Sequence, residues 1–315
     1  MITRRSVRTK AMQYIYAFET AQTDDISAYE QNLLKSIQSV KEQYLFVLFY
    51  LREVANYVET DAKIKSGKFI KTEKDKNFNT KLLSNILVQY LNNDTAFLNE
   101  LKKHKTSQLA DEELIRDLYK SFISAPEYQD YLNLSTEFDL EEDKKIISFL
   151  LKDILLQNEA FMQFAEDNFV NWYDDGELVL ESVDEVIFKS KTDLKLHLNK
   201  EKLNEKFDEL TKFGRDLFRY TIEHKKEYWK LIEPKLKNWD ADPLAVVDMI
   251  LMRMALTEFF NFPSIPLKVS INEYLDIAKE YSTPKSKDFI NGVLDSLMRE
   301  LKDSGKIQKT GRGLI

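Results

Sequence analysis

The sequence predicts an all-α fold for this chain of 315 residues. Seven glycines and six prolines leave few points at which a helix must stop. Leu, Lys and Glu, which favour helices, are among the most frequent residues, and apolar residues recur at three- to four-residue spacing. A composition of 43% hydrophobic and 31% charged residues is typical of a soluble globular protein. Long helices are therefore expected to fill most of the chain.

The first predicted helix begins after Thr3, a suitable N-cap, and runs to about Ala21. At 100° per residue, one face of this helix is apolar and consists of Val7, Ala11, Tyr14, Ile15 and Phe18. A neighbouring stripe consists of Arg5, Arg8, Met12 and Tyr16. The pattern predicts a packed face beside a cationic surface.

Helical spacing continues through the middle of the chain. A second helix is predicted over residues 26–57, followed by a basic, glycine-containing break at 63–76. Further helical segments are predicted at 78–103, 111–122, 141–170 and 177–189. Breaks are expected at 92–94, 125–126 and 174–176.

A shift of 67 positions aligns part of this middle region with a later segment. It sets Asn171, Trp172 and Asp175 beside Asn238, Trp239 and Asp242. An internal duplication would produce this agreement, and so would the chance similarity of amphipathic helices. The sequence leaves both explanations open.

Helix signals return from Leu203 onward. Asp242 is a good N-cap and Pro243 suits the first helical position, so a helix is predicted from Pro243 to Phe260. Its apolar residues, including Val246, cover a face wide enough for the centre of a bundle. Another helix is predicted over 268–281, and a last one that starts at Thr283 and Pro284 and reaches about residue 301.

Charge is unevenly distributed along the chain. The net charge is −7, yet residues 1–10 contain four basic residues and no acidic one. Residues 302–315 contain four basic residues and one aspartate. Basic ends on an acidic body indicate a localised nucleic-acid contact, although a solvated helix start and a frayed tail have the same composition.

Several functional classes lack support in the sequence. There is no cysteine, and the three histidines are far apart, so neither a thiolate centre nor a metal site is predicted. Phosphate-binding glycine loops and nucleophile motifs are absent, and we predict no catalytic residue and no cofactor. No apolar run is long enough for a bilayer, which leads us to expect a cytoplasmic protein with no membrane contact.

Motifs at both ends of the chain resemble the NusB transcription antitermination family. Residues 239–294 resemble its C-terminal half, through Ile-Asn-Glu at 271–273 and Phe-Ile-Asn-Gly at 289–292. Residues 4–16 are similar to its arginine-rich first helix. The resemblance implies a two-lobed helical bundle built from residues 1–60 and 203–303. A helical insert at 61–202, which would contain any decayed repeat, and a basic tail at 304–315 complete the expected organisation.

The resemblance also implies a function. It implies a factor that binds boxA-like single-stranded RNA together with the ribosomal small-subunit protein NusE, within an RNA polymerase antitermination complex. The residues implied as RNA contacts are Arg4, Arg5, Arg8, Tyr16, Lys285, Lys287, Phe289 and Asn291. Arginine suits this task because its forked guanidinium binds phosphate with two hydrogen bonds, and an exposed tyrosine can stack on a base.

Some of these residues have other interpretations. Ser6 takes the place of a family arginine, from which weaker RNA binding is expected. Phe289 fits a core position equally well, and Asn291 with Gly292 would permit close helix packing. For the pair Asn272 and Glu273, a capping or inter-helix hydrogen-bond role is favoured over catalysis. The alternative function is a protein–protein adaptor that does not bind RNA and acts through the insert.

Overall fold

The computed structural model describes residues 2–67, 79–134, 139–189, 200–236, 245–307 and 309–310. These residues form 14 α-helices and short 3₁₀ and π-helical segments, with no strand among them. The predicted all-α fold is confirmed. The chain divides into two compact units, the first comprising Gln38–Lys206 and the second comprising Ile2–Ile37 and Phe207–Ile315.

The first unit contains the later part of α2 (Ile26–Gly67) and a series of shorter helices. They are α3 (Ile86–Asn93), α4 (Thr95–Lys103), α5 (Glu112–Ser124), α6 (Pro126–Asn133), α7 (Leu140–Phe149), α8 (Glu159–Asn168) and α9 (Trp172–Lys189). A π-helical stretch, Leu150–Leu155, continues α7, and 3₁₀ turns occur at Lys81–Ser84 and Thr106–Leu109.

Side-chain caps explain where many of these helices begin. Asn85, Asp94, Asp111, Asp139 and Asn158 each accept hydrogen bonds of 2.8 to 3.3 Å from backbone N–H groups of the following turn. Such caps satisfy donors that have no partner inside the helix. The break predicted at residues 92–94 is therefore the cap between α3 and α4.

An aromatic cluster forms part of the core of the first unit. The Phe46 ring stacks on Phe161 at 5.5 Å between centroids and meets the edge of Trp172 at 6.3 Å. The break predicted at 174–176 is wrong, because α9 starts at Trp172 and includes these residues. Acidic residues suit the first turn of a helix, and Gly176 is buried against the Trp172 ring.

The second unit contains α1, the beginning of α2, the later part of α10 and four further helices. Their bounds are α1 (Arg4–Thr20), α10 (Lys200–Glu223), α11 (Lys225–Ile232), α12 (Val246–Asn261), α13 (Leu267–Tyr281) and α14 (Ser286–Asp303). A 3₁₀ turn, Glu233–Lys235, continues α11.

Helix α12 is central to this unit and packs against α1, α11, α13 and α14. Every residue from Ile250 to Phe259 is buried, as expected for a helix that is apolar on nearly all sides. The prediction of a buried Val246 is wrong, since this residue is 49% exposed. The helix starts at Val246 after an extended Ala245, so its predicted start at Pro243 is wrong. Asp242 and Pro243 themselves lie outside the described residues, as do Asn238 and Trp239 of the proposed repeat.

Other helix bounds also differ from their predictions, and the segment predicted at 141–170 is divided between α7 with its π-helical stretch and α8. Helix α2 continues ten residues beyond position 57 to Gly67, so its predicted break begins within the helix. The last helix starts at Ser286 and not at Pro284, because Thr283 and Pro284 form a turn in which the Thr283 carbonyl accepts from the Ser286 N–H at 3.0 Å. Helix boundaries are the features that local sequence propensity predicts least precisely.

A close approach within the second unit requires a glycine. A Cβ at Gly214 of α10 would lie 2.7 Å from Ile37 Cδ1 and 2.8 Å from Val7 Cγ1. Both distances are too short for carbon atoms, so a side chain here would push α1 or α2 away.

Among the helices that the structure describes, none is both long enough and apolar enough to cross a bilayer.

Candidate nucleic-acid interface

Helix α1 begins with a capping box that gives Ser6 a structural role. The Thr3 hydroxyl accepts from the Ser6 N–H at 3.2 Å, and the Ser6 hydroxyl accepts from the Thr3 N–H at 3.1 Å. Two backbone donors at the helix start are thereby satisfied. An arginine at position 6 could not close this box, so Ser6 stabilises the start of the arginine-bearing helix.

Arg8 is buried, which corrects the prediction of a continuous cationic surface. Only 3% of its side chain is exposed, and its Nε and Nη2 donate to the Glu258 carboxylate at 2.7 and 3.1 Å. Its Nη1 donates to Glu273 at 3.2 Å. Met12, also placed on the stripe, is buried too. The guanidinium of Arg8 is therefore engaged inside the second unit.

Glu258 is the acceptor around which this buried network forms. Besides Arg8, it accepts from the Ser270 hydroxyl at 2.6 Å and the Tyr274 hydroxyl at 2.7 Å. Burial lowers the pKa of Arg8, but the hydrogen bonds and charge of Glu258 raise it more, to above its ordinary value. Burial, followed by the charge of Glu258, raises the pKa of Tyr274. Arg8 is therefore charged and Tyr274 neutral across the physiological range.

Arg5 lies on the exposed side of the same helix and is held by α13. Its Nε and Nη2 each donate to Glu273 at 3.1 Å, and Nη2 also donates to Asp276 at 2.8 Å. The hydrogen bond with Glu273, more than any other cause, raises the pKa of Arg5. About half of the Arg5 side chain, 49%, remains exposed. Glu273 thus joins Arg5 and Arg8, which confirms its expected inter-helix hydrogen bonds.

Arg4 is the third arginine of the helix start and is also exposed. Its Nη2 donates to Glu209 at 2.6 Å, with 43% of the Arg4 side chain and 64% of the Glu209 side chain exposed. The guanidinium carbon also lies 5.7 Å from the centre of the Phe213 ring. Ion pairs between two exposed groups are worth little, so this contact is easily exchanged for another anion.

The three arginines border one cleft of about 480 Å³ in the second unit. Its other walls come from Thr3, the loop before α13 and the start of α13, where Ser264, Ile265, Pro266, Val269 and Glu273 lie. Glu273 is the one carboxylate in this lining, against three guanidinium groups. Beyond the lining, Glu209, Asp276 and Glu258 also pair with these arginines, so each guanidinium charge at the cleft already has a carboxylate partner.

Tyr16 is 42% exposed and lies further along α1. It follows Arg5 by eleven residues, which on an α-helix places both on one side about 16 Å apart. The described residues that line the cleft do not include Tyr16. A ligand that touched both would have to run along the helix.

The residues implied at the start of α14 have separate surroundings. Lys285 and Lys287 are exposed, Asn291 is half-buried, and none of them borders the cleft as far as the structure describes it. Phe289 is only 4% exposed and belongs to the core, so the alternative left open by the sequence is the one observed. A Cβ at Gly292 would meet open space, and close helix packing does not explain this glycine.

Lys309 is a residue whose role the sequence did not reveal. Its Nζ donates to the carbonyl groups of Glu258 and Phe262 at 2.7 and 2.8 Å, and the Thr310 N–H donates to the Pro263 carbonyl at 3.0 Å. Burial lowers the pKa of Lys309 to about 8, with the charge of Glu258 acting in the opposite direction. This part of the basic tail caps the end of α12, which excludes a frayed tail here.

Comparisons with known proteins find a family that part of the chain resembles. The NusB family model matches residues 177–299. Proteins named transcription antitermination protein NusB are similar to the chain: 46% identical over 103 residues in Salinibacter ruber, 47% over 78 in Chloroherpeton thalassium and 45% over 94 in Koribacter versatilis.

These matches cover 33%, 25% and 30% of the chain and 64%, 37% and 64% of the respective relatives, less than two thirds of each. No solved structure matches the chain significantly. The matched region starts before position 203, where the resemblance placed the second part of the core, and it contains the carboxylates that hold Arg4, Arg5 and Arg8. Residues 177–299 of this chain are therefore similar to the NusB family.

Proposed function

We propose that this protein is a non-enzymatic, cytoplasmic transcription antitermination factor that binds boxA-like single-stranded RNA at the cleft bordered by Arg4 and Arg5. One observation carries the proposal. Two half-exposed guanidinium groups border an open cleft of about 480 Å³ and are attached to the region similar to the NusB family by carboxylates of that region. The names of the similar proteins support antitermination as the process.

The exposed arginines can change partners, and Arg8 cannot do so at the same cost. A phosphate that approaches Arg4 or Arg5 replaces an ion pair already exposed to solvent, which is worth at most about 1 kcal/mol. A phosphate at Arg8 would leave the fully buried Glu258 without its cation, at a cost of about 3–5 kcal/mol. We therefore assign RNA contact to Arg4 and Arg5. We assign a structural role to Arg8, whose hydrogen bond to Glu273 fixes that carboxylate beside Arg5.

Tyr16 extends the proposed RNA path along α1. A strand with a phosphate at Arg5 would pass over the exposed side of the helix, and a base could stack on the exposed Tyr16 ring. Lys285, Lys287 and Asn291 remain proposed contacts of a second RNA segment, because they lie exposed or half-exposed at the start of α14. Phe289 is excluded from this set by its burial.

Direct titration tests the RNA contact. A fluorescent boxA-like oligoribonucleotide is titrated with the full chain and with Arg4→Ala, Arg5→Ala and Tyr16→Ala. Loss of a charge-assisted phosphate contact should weaken binding about tenfold for each arginine variant. Arg116→Ala is a matched control, since Arg116 is 42% exposed and pairs with an exposed Glu113 in the first unit. If all three arginine variants weaken binding equally, RNA contact at this cleft is wrong.

The protein partner proposed from the family likeness is the ribosomal small-subunit protein NusE, within an RNA polymerase antitermination complex. A pulldown of purified NusE by the full chain, with and without the oligoribonucleotide, tests this partnership. We expect RNA to increase NusE recovery. Equal recovery with and without RNA would show that RNA and NusE binding are not coupled, and would contradict cooperative assembly.

One observation favours the alternative, a protein–protein adaptor without RNA binding. Each of Arg4, Arg5 and Arg8 already has a carboxylate partner, and Asp276 adds a second one to Arg5. These carboxylates repel phosphate and lower the positive electrostatic potential of the cleft. An absence of measurable RNA binding by the unmodified chain would select the adaptor.

A further inference from the structure

A second concave surface, the acidic groove, lies in the first unit and is unrelated to the proposed RNA cleft. It lies between the π-helical stretch, α8 and the first half of α9, with a volume of about 620 Å³. Its apolar lining comprises Leu151, Leu156, Met162, Trp172 and Leu180. Leu156, Met162 and Leu180 are only half-buried in the chain alone, so a partner could cover further apolar area there.

Gly176 gives the floor of this groove its shape. The residue is buried on α9 directly against the Trp172 ring, and a Cβ would lie 3.3 Å from Trp172 Cε2. The indole therefore occupies the space that a side chain at this position would take. Next to the floor, Tyr173 is 92% exposed and also lines the groove. The result is an aromatic floor beside an exposed aromatic side chain, a combination enriched at protein interfaces.

Carboxylates form the rim of the acidic groove. Glu177, Glu181 and Asp184 follow one another at spacings of four and three residues, so they form a row along one side of α9. Glu166 of α8 adds a fourth carboxylate. Lys152, the one cation of the lining, donates to Asp184 at 3.0 Å. Glu166, Glu177 and Glu181 have no polar partner among the residues that the structure describes.

These observations select the chemistry of the occupant. The three carboxylates without a polar partner in the described part of the chain, Glu166, Glu177 and Glu181, repel nucleic acid and anionic lipid headgroups and attract cationic side chains. The spacing of the row matches basic residues that are one turn apart on a helix, and the apolar floor accepts the apolar face that lies next to those basic residues on the same helix. We propose that the acidic groove binds a basic amphipathic helix of a partner protein, with apolar side chains over Trp172 and Leu180 and lysines or arginines paired with Glu177 and Glu181.

A synthetic peptide tests the proposal on the full chain. The probe is a fluorescein-labelled helical peptide of about 18 residues, with leucines at i, i+3, i+4 and i+7 and lysines beside them. The matched peptide has glutamate in place of every lysine. We expect saturable binding of the lysine peptide alone, weakened by added salt because the rim pairs are exposed to solvent.

Charge-reversal variants locate the binding. Glu177→Lys/Glu181→Lys should weaken binding of the lysine peptide about tenfold, because two attractive pairs become repulsive. Glu127→Lys/Asp130→Lys on α6 is the control, since both residues are exposed and the change in net charge is the same. Circular dichroism verifies that each variant keeps its helix content. Equal weakening by both double variants, or by neither, would overturn the proposal.

A substitution in the floor of the acidic groove distinguishes binding of a partner helix from self-association of the chain. Leu180→Asp places a charge on the half-buried part of the floor and should abolish peptide binding while the unmodified chain sediments as a monomer. If the unmodified chain is instead a dimer that Leu180→Asp dissociates, a second copy occupies the groove and the proposal is wrong. None of these variants alters the arginine cleft, so a failure here leaves the RNA proposal untouched.

Discussion

Replacement of Arg8 by methionine tests whether this arginine is structural. The change keeps a long side chain but removes both hydrogen bonds, of 2.7 and 3.1 Å, that Arg8 donates to Glu258. Glu258 is 0% exposed and would keep only the neutral donors Ser270 and Tyr274. Removing one partner of a buried ion pair costs about 3–5 kcal/mol, because the remaining charge stays out of water. We expect the free energy of unfolding to fall by that amount.

Urea denaturation followed by circular dichroism measures this loss. Arg4→Met is the matched control, since the Arg4–Glu209 pair is exposed and its removal should cost less than about 1 kcal/mol. The double variant Arg8→Met/Glu258→Gln removes the isolated charge and should recover part of the stability lost in Arg8→Met. If Arg8→Met and Arg4→Met cost the same, Arg8 is not a buried structural cation, and its separation from the RNA contacts is wrong.

The remaining predictions concern other positions of the second unit. Gly214→Ala should destabilise this unit by about 1–3 kcal/mol, because the new Cβ meets Ile37 and Val7. Gly292→Ala should be neutral or stabilising by up to about 1 kcal/mol, because its Cβ would meet open space. Thermal melting of the two variants compares these effects. Ser6→Arg should lose about 1 kcal/mol with the capping box while strengthening RNA binding; unchanged stability would show that the box contributes nothing. The pKa of Lys309 is about 8 in the folded state and 10.5 in the unfolded state, so between these pH values the folded state binds fewer protons. The contribution of Lys309 therefore makes the free energy of unfolding rise with pH from about 8 to about 10.5. Lys309→Met should remove that part of the rise, and identical pH dependence in both proteins would contradict the assigned pKa.

Helix content and several helix starts could be predicted because they depend on local sequence. Apolar spacing and the scarcity of glycine and proline identified the helices, and Thr3 was predicted as the cap that it forms. The continuation of α9 through Gly176 could not be predicted in the same way. A glycine after two aspartates indicates a loop, and only the packing of Trp172 against Gly176 explains why the helix includes it.

The candidate site was predictable in part. The sequence placed Arg5, Arg8, Met12 and Tyr16 on one stripe, but helix geometry alone could not show how far neighbouring helices cover that stripe. Arg8 and Met12 are buried, while Arg5 and Tyr16 remain exposed. The missing information was the position of Glu258 opposite Arg8, a contact between residues 250 positions apart.

Glu258 nevertheless left a signal in the sequence. It is a carboxylate within the apolar helix α12, and a buried carboxylate requires a cation or several donors. Arg253 on the same helix is a similar case, since it is 3% exposed in its side chain and donates to Glu19 of α1 at 2.6 and 2.8 Å. Charged residues within an apolar helix can thus indicate contacts with charged residues of α1, although the sequence alone does not identify which residue of α1 each one binds.

The salt dependence of RNA binding tests the central claim most directly. The dissociation constant of the boxA-like oligoribonucleotide is measured against salt concentration for the unmodified chain and for Arg4→Ala/Arg5→Ala. If both arginines hold phosphates, the log–log slope should shrink by about 1.4 in the double variant, or about 0.7 for each contact to a single strand. An unchanged slope, with stability also unchanged, would contradict the assignment of the RNA contact to this cleft.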